Sequence, residues 1–331
     1  MENKPKFTPN PKLKLMDQVR EVMRYHHYAY RTEQTYVQWI LRFIHFFGGK
    51  THPRDLGTKD IERFLSDLAV AREVSASTQR QALNAIVFLY RDVLNKPIDG
   101  KIAHARAKKK PKTVTVLSKD EVARFFRCID GTHALMAKLL YGSGLRLMEC
   151  VRLRIKDIDF DRKRIQVFGK GDKWRSTILA PPVIPQLQAH MERVKALHHA
   201  DLEEGFGEVY IPPSLSRKYR GAARETAWQY LFPSKNRSID PRSKKERRHH
   251  VLESGLQKAV KLAVKKAGIN KQATCHTLRH SFATTMLENG VNIRVLQELL
   301  GHADVKTTEM YTHVMDKDIS RLTSPLEGLA L

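Results

Sequence analysis

Cys275-His276-Thr277-Leu278-Arg279-His280 is the stretch from which the rest of the chain is best read, together with Gly301-His302 and Tyr311-Thr312-His313 downstream. On a helix, His276 and Arg279 stand at i and i+3 and project from one turn, with His280 one turn beyond His276. His276 and His280 also have the spacing of two metal ligands, so a metallohydrolase half-site is one reading. Against it, no Glu follows the first His, no third ligand is evident, and Arg279 sets a cation beside the metal. Residues 292–300 read as a helix closed by Gly301, which puts His302 just past its end. Thr307 reads as the cap of a further short helix with Tyr311 in its second turn. A tyrosine alone in such a place is ordinarily core, and only its company makes it a reagent.

The composition sets the context. A chain of 331 residues is long for one core and suits two domains. Lys and Arg number 59 against 35 Asp and Glu, a formal charge of +24, and a field of that sign selects polyanionic partners, nucleic acid first. No amphipathic basic helix at a terminus and no run approaching the ~18 apolar residues of a membrane span argue for a membrane partner. Cys128, Cys150 and Cys275 are too scattered for a disulfide framework or a zinc site, and the first 15 residues lack a signal-peptide core, so a reducing, cytoplasmic compartment is expected.

Upstream, residues 16–98 carry helical periodicity throughout. Met16, Val19 and Met23 mark one face; Tyr36, Ile40, Phe43 and Phe47 mark another; Ile61, Phe64, Leu65 and Leu68 follow Thr58 as a cap; Ala82, Ile86, Leu89 and Val93 follow Ser77 and Thr78. Four amphipathic helices of this kind predict a small bundle after an extension over residues 1–15. Residues 99–114 are rich in Lys and Arg, with Lys108, Lys109 and Lys110 consecutive; they read as a basic linker suited to a phosphate backbone, or as a solubilising hinge. Ser118-Lys119-Asp120-Glu121 is a capping box that opens a second domain, residues 115–331.

In that domain, Gly142-Ser143-Gly144-Leu145-Arg146 allows a tight backbone approach, and Arg146 and Glu149 are expected three apart on one helical face. Residues 164–168 and 176–179 alternate around Gly169-Lys170-Gly171, predicting a β-hairpin with Lys170 near its tip. A helix is expected over 186–197, followed by an irregular stretch, 198–250, which mixes aromatics, Trp228 among them, with the basic run Pro241 to His250. Aromatics interleaved with cations suit stacking on exposed bases beside phosphates, and suit equally a core with a charged surface. Residues 254–267 read as another helix ended by Gly268.

Taken together, these residues resemble the tyrosine recombinases. The family pattern is an Arg in Gly-Leu-Arg-x-x-Glu, a hairpin Lys in Gly-Lys-Gly, a His-x-x-Arg pair, a downstream Gly-His and a Tyr about nine residues on. Here those are Arg146, Lys170, His276, Arg279, His302 and Tyr311, in order, with 24 positions from Arg146 to Lys170 and 32 from Arg279 to Tyr311. Within the family the chain is most similar to the integron integrases. Tyr30-Arg31-Thr32-Glu33-Gln34-Thr35-Tyr36, Asp240-Pro241-Arg242-Ser243, Arg247-Arg248-His249-His250, His276 to Ala283, Ser324-Pro325-Leu326 and an extra segment at about 198–234 carry that similarity. Cys275 where proline is usual and Met148 where serine is common depart from it beside the pattern residues.

The resemblance implies a mixed, mainly helical fold: a four-helix DNA-binding bundle, then a helical catalytic domain with a small antiparallel sheet and a C-terminal tail, 318–331. It implies a site-specific recombinase in which Tyr311 attacks a DNA phosphodiester, leaving a 3′-phosphotyrosine and a free 5′-hydroxyl. A free phenol, with a pKa of ~10, needs its departing proton handled and the growing negative charge held. Arg146 and Arg279 are expected to fork onto phosphate oxygens, supported by Glu149, with His276 and His302 as donors or relays and Lys170 as the acid for the leaving oxygen. No metal or other cofactor is implied. The integron likeness further implies folded single-stranded cassette sites besides duplex DNA, gripped through Trp228, Pro241, His249 and His250 with Arg247, Arg248 and Lys108 to Lys110 on phosphates. It implies a homotetramer on paired sites, in a bacterial cytoplasm and nucleoid. A phage- or Xer-type duplex recombinase, a tyrosine-based topoisomerase, a metal-dependent nuclease and a non-catalytic DNA-binding protein are the rival readings.

Overall fold

The computed structural model describes residues 7–98, 100–107, 114–169 and 174–312, without the side chains of 213 and 214. Lys108, Lys109, Lys110, Lys170, His313, Ser324 and the tail 318–331 therefore lie outside the described residues. The chain divides into two compact units, Met1–Lys112 and Thr113–Leu331.

The first unit is a helical bundle of α1 (Leu15–Tyr25), α2 (Tyr30–Phe46), α3 (Thr58–Val70) and α4 (Ala76–Phe88), the last continued by a π-helical turn, Leu89–Val93. Their apolar stripes meet in a core of Val19, Val22, Met23, Ile40, Phe43, Ile61, Phe64, Leu65, Ile86 and Leu89. Two caps differ from expectation. Thr58 is the first helical residue of α3 rather than its cap, and Asp60 reaches back to the Gly57 N–H at 2.8 Å. Ser75, not Ser77 or Thr78, caps α4, accepting from the Thr78 N–H at 3.2 Å. The buried Gln79 side chain donates to the Leu65 and Ala105 carbonyls and accepts from the Ala107 N–H, so the start of the basic stretch is fastened to the bundle.

The second unit begins with α5 (Lys119–Arg127), opened by the Ser118–Glu121 capping box. It continues through α6 (Gly131–Ser143), α7 (Leu147–Arg152), β1 (Ile158–Asp159), β2 (Arg164–Phe168), β3 (Trp174–Ile178) and α8 (Ile184–Glu203). Then come α9 (Pro213–Lys218), β4 (Ser238–Ile239), β5 (Glu246–Arg247), α10 (Glu253–Lys266), α11 (Cys275–Glu288), α12 (Ile293–Leu300) and α13 (Lys306–Glu309). The three-stranded antiparallel sheet runs β1-β2-β3, with Ile165 opposite Thr177 and Val167 opposite Arg175. The period of two puts these four on the face turned to the domain core, while Phe168 and Trp174 are more than half exposed.

The core of this unit gathers Leu135, Leu139, Leu140, Cys150, Val151, Ile165, Leu187, Phe232, Val260 and Leu278. A smaller cluster joins Phe282, Leu287, Leu296, Leu300 and Tyr311, and a third, Val209, Ile211, Ala222 and Tyr230, belongs to the long segment after α8. That segment starts later than expected, because α8 runs on to Glu203 and buries His198 and Asp201 within its last turns. Two further expectations are corrected. Arg146 is not on the helical face of Glu149 but is the extended residue before α7, φ −74° and ψ 152°, and Glu149 in the third helical position reaches back to it. Tyr311 is not in a helix: α13 ends at Glu309, with Asp304 rather than Thr307 meeting its first N–H, and Tyr311 sits in the turn beyond.

Candidate active site

Glu149 is the hub. Its side chain is 6% exposed and meets three guanidinium groups: Arg146 at 2.7 Å, Arg175 at 2.6 Å and Arg279 at 3.7 Å. It also accepts the Arg146 backbone N–H at 2.8 Å, so one carboxylate caps α7 and sets the arginine that precedes it. Burial works against its ionisation, but the Arg175 charge and the Arg146 N–H and guanidinium outweigh it and hold Glu149 below the usual carboxylate range. Three cations around one anion leave a positive surplus, which is the charge of a site for an anion.

The arginines are aimed by a second device, the end of α12. The last carbonyls of a helix have no partner within it and carry the negative end of its dipole. Here three successive ones are each met by a different arginine: the Leu299 carbonyl by Arg175, Leu300 by Arg279 at 2.6 Å, and Gly301 by Arg146 at 3.1 Å. Arg279 also donates to the Gly144 carbonyl. Both glycines are needed as glycine. Each has φ +62°, and a β-carbon at Gly144 would come within 2.5 Å of the Phe282 ring, one at Gly301 within 2.5 Å of Arg175 Cδ. Arg146 keeps a third of its side chain exposed, whereas Arg175 and Arg279 are buried. Burial and the Arg146 charge work against ionisation of Arg279, Glu149 supports it, and a guanidinium stays protonated at neutral pH.

His302 follows Gly301 directly. Its Nε2 lies 3.2 Å from Arg279 Nη2, and since a guanidinium only donates, Nε2 accepts. The ring proton is thereby assigned to Nδ1, which donates to Thr308 Oγ1 at 2.9 Å. Burial and the Arg279 and Arg146 charges push the His302 pKa down to about 4, so the ring is neutral. Tyr311, 1% exposed, lies nearly parallel to it, ring centroids 6.4 Å apart. The Tyr311 hydroxyl is 2.9 Å from Nδ1 of His280, and burial pushes the phenol above its ordinary value. His276 stands exposed at the start of α11, where partial burial and the Arg279 and Arg146 charges disfavour its protonation.

Of the six pattern residues, five thus fall in one place and Lys170 lies outside the described residues. Sequence reasoning missed Arg175, Thr308 and the part played by His280. Arg175 carried one signal: an arginine at inward parity on a strand, opposite Val167. Among the described residues no three His, Cys, Asp or Glu side chains are grouped to hold a metal ion. Chemically, the arrangement offers cations and a neutral imidazole beside a phenol.

The described residues expected to touch bases and phosphates lie in or beside the long segment and divide into two kinds. Trp228 is half-buried, with Lys156 Nζ 4.1 Å from its ring centroid and Tyr219 beside it at 5.8 Å. Pro241 is exposed after β4, and His249 stacks edge-on against His250 at 4.2 Å, with Tyr230 beside both. Arg248, by contrast, is turned inward: it grips Asp201 at 2.5 and 2.7 Å and donates to the Ser234 and Lys235 carbonyls. Its expected place on an outward basic face is corrected accordingly. Arg247 is largely covered, near Glu208 and Asp240 at 3.6 and 3.9 Å, and His250 is buried with Nδ1 donating to the Val251 carbonyl at 2.7 Å.

Residues 115–318 match the phage integrase family, and residues 15–100 match the phage integrase N-terminal SAM-like domain. The chain belongs to the phage integrase family. It is 45% identical over 322 residues to an integrase/recombinase of Escherichia coli and equally to one of Pseudomonas aeruginosa, matches that span 97% of this chain and 95% of each relative. It is 30% identical over 299 residues to tyrosine recombinase XerD of Listeria monocytogenes, 84% of this chain and 85% of that one. In fold it is similar to a lambda integrase fragment solved as a dimer on a core site, TM-score 0.58 at 17% identity, covering 94% and 96% of the two chains. It is similar also to XerH recombinase in a post-cleavage complex, TM-score 0.56 at 20% identity, covering 92% and 83%. The family's enzymes are tyrosine-type site-specific recombinases, and this chain is one.

Proposed function

We propose that this recombinase integrates and excises gene cassettes, cutting and rejoining DNA through a 3′-phosphotyrosyl bond on Tyr311. The observation that carries the chemistry is the convergence of Arg146, Arg279, His302 and Tyr311, residues from four separate parts of the second unit, beside a surplus of positive charge. Arg146 and Arg279 hold the phosphate, His276 steadies it, His302 positions Arg279 beside it, and Lys170 protonates the departing 5′-oxygen. The linkage conserves the energy of the broken bond, so a second 5′-hydroxyl reverses the step. Residues 16–98 bind DNA as a helical bundle, 99–114 follow the backbone as a basic linker, 115–331 carry the chemistry, and four copies act on two sites. The working compartment is the bacterial cytoplasm, at the nucleoid.

What supports the cassette reading is the long segment between α8 and α10, with its own small core and its half-buried Trp228 flanked by Lys156 and Tyr219. A flat ring with a cation beside it suits an unstacked base and its phosphate. The likeness to XerD supports a second reading, a recombinase of duplex sites alone.

Two measurements decide. With a nicked substrate, Tyr311→Phe binds DNA as the parent does and forms no adduct; adducts that persist in a denaturing gel overturn the assignment of Tyr311. Trp228→Ala weakens binding to a folded single-stranded cassette site by about 1 to 3 kcal/mol, the worth of one stacked base, and spares the matching duplex. Equal losses on hairpin and duplex favour the duplex recombinase.

A further inference from the structure

His280 has no place in the six-residue pattern, yet it holds the contact nearest the chemistry. It stands one turn after His276 on α11, ring centroids 6.4 Å apart, with Arg279 between them in sequence. Its Nδ1 is 2.9 Å from the Tyr311 hydroxyl. The other groups beside the phenol are differently committed. Arg279 can only donate. His302 accepts from Arg279 through Nε2 and donates to Thr308 through Nδ1, so its stacked ring has no free basic nitrogen.

We propose that His280 Nδ1 takes the phenolic proton as Tyr311 attacks and returns it when the strands are rejoined. The inference rests on the reading of Tyr311 as nucleophile. In the forward step the Tyr311 Oη–phosphorus bond forms and the phosphorus–O5′ bond breaks. The phenolic proton passes to Nδ1, making an imidazolium, while the leaving oxygen takes a proton from a separate acid, assigned above to Lys170. In the return step an incoming 5′-hydroxyl gives its proton to that now-neutral amine, phosphorus–Oη breaks, and the phenolate recovers its proton from His280. No proton is gained or lost over the cycle, which suits a reaction that must run equally well both ways.

The surroundings favour a neutral resting pair. Burial, with His276 and Arg279, pushes His280 down to about 4, and burial pushes Tyr311 up. The groups facing His280 are His276 and Arg279 on its own helix, His302 after α12 and Tyr311 after α13. Among the described residues none of these is an acid, so it is a bound phosphodiester that gives the imidazolium its counter-charge. His280 is thus a base armed by substrate.

The test compares single-turnover adduct formation by the full-length protein and His280→Asn, on a nicked substrate with either an ordinary or a sulfur-bridged 5′ leaving group. Asparagine keeps an acceptor near the Nδ1 position and so preserves a merely structural hydrogen bond, but it cannot take the proton. The expected result is a loss of about 10²-fold or more, the lower end of what a positioned base supplies. A sulfur leaving group, which needs no acid, leaves that loss in place, whereas a fluorinated, more acidic tyrosine at position 311 recovers much of it. A His280→Asn rate within about threefold of the parent, or full rescue by sulfur, overturns the proposal, since a base should contribute far more than that. If instead Tyr311→Phe still forms adducts, the nucleophile assignment itself has failed; a silent Tyr311→Phe beside a fast His280→Asn removes only the role of His280.

Discussion

Two buried carboxylates in the second unit each collect arginines, and they do so to opposite ends. Glu149 holds Arg146, Arg175 and Arg279 with no second acid in the group. Asp201, 4% exposed, holds Arg237 at 2.9 Å and Arg248 at 2.5 Å, but Arg237 also pairs with Glu204 at 2.8 Å and Glu246 at 3.1 Å. The first cluster has three cations to one anion and the second two to three. Around Asp201 the acids outnumber the arginines, no cation is left over, and the ion pairs tie α8 to the β4–β5 ribbon. Around Glu149 the cations are in excess, and Arg146 remains partly open to solvent. The lesson is that an arginine-rich cluster becomes an anion site through its surplus and one exposed edge, rather than through its number of arginines.

The largest effects come from taking away each hub. Glu149→Gln leaves Arg175 and Arg279 buried without their counter-charge and is expected to lower unfolding stability at neutral pH by on the order of 3 to 5 kcal/mol in urea melts, whereas Asp201→Asn strands Arg248 alone, since Arg237 keeps Glu204 and Glu246, and costs less. They part further in catalysis. Glu149→Gln also slows adduct formation by about 10² to 10³, the cost of losing one aimed phosphate donor, whereas folded Asp201→Asn cleaves a nicked duplex at the parent rate. Equal loss of cleavage in both variants would erase the distinction between the clusters.

A smaller effect lies in acid. Both carboxyls sit below their ordinary range despite burial, Glu149 through Arg175 and Arg146, Asp201 through Arg248 and Arg237. The unfolded chain therefore binds more protons as the pH falls past about 4, the ordinary carboxylate value. The stabilisation is complete above that pH and fades below it until the folded groups protonate. Each group steepens the acid limb by up to about 1.4 kcal/mol per pH unit, and each amide variant should show a correspondingly flatter limb. An unchanged limb in Asp201→Asn would mean that its arginines do not hold that carboxyl down.

Much of this architecture is readable without coordinates, for reasons specific to the residues concerned. The spacing from Arg146 to Tyr311 carries the family, Ser118 and Glu121 announce a helix start, and Gly301 a helix end, because caps and turns are local and leave local marks. What escapes reading depends on partners distant in sequence. Nothing beside Arg175 points to Glu149 or Leu299, nothing beside His280 points to Tyr311, and the basic run gives no sign that Arg248 is spent on Asp201. Tyr311 shows the same limit at short range: Thr307 has the chemistry of a cap, but Asp304 takes that role and the helix ends before the tyrosine.

The three arginines at the end of α12 tie together parts of the chain that lie far apart in sequence. Successive carbonyls on a helix point about 100° apart, so each faces only the element from which its arginine comes. Adding or deleting a single residue in α12 would turn all three acceptors away from Arg175, Arg279 and Arg146 at once, and shift His302 with them. Point changes on the outer face of this eight-residue helix are therefore cheap, while its length is close to fixed. Chimaeras that join α11 and α12 from different relatives will survive only where that helical phase is kept.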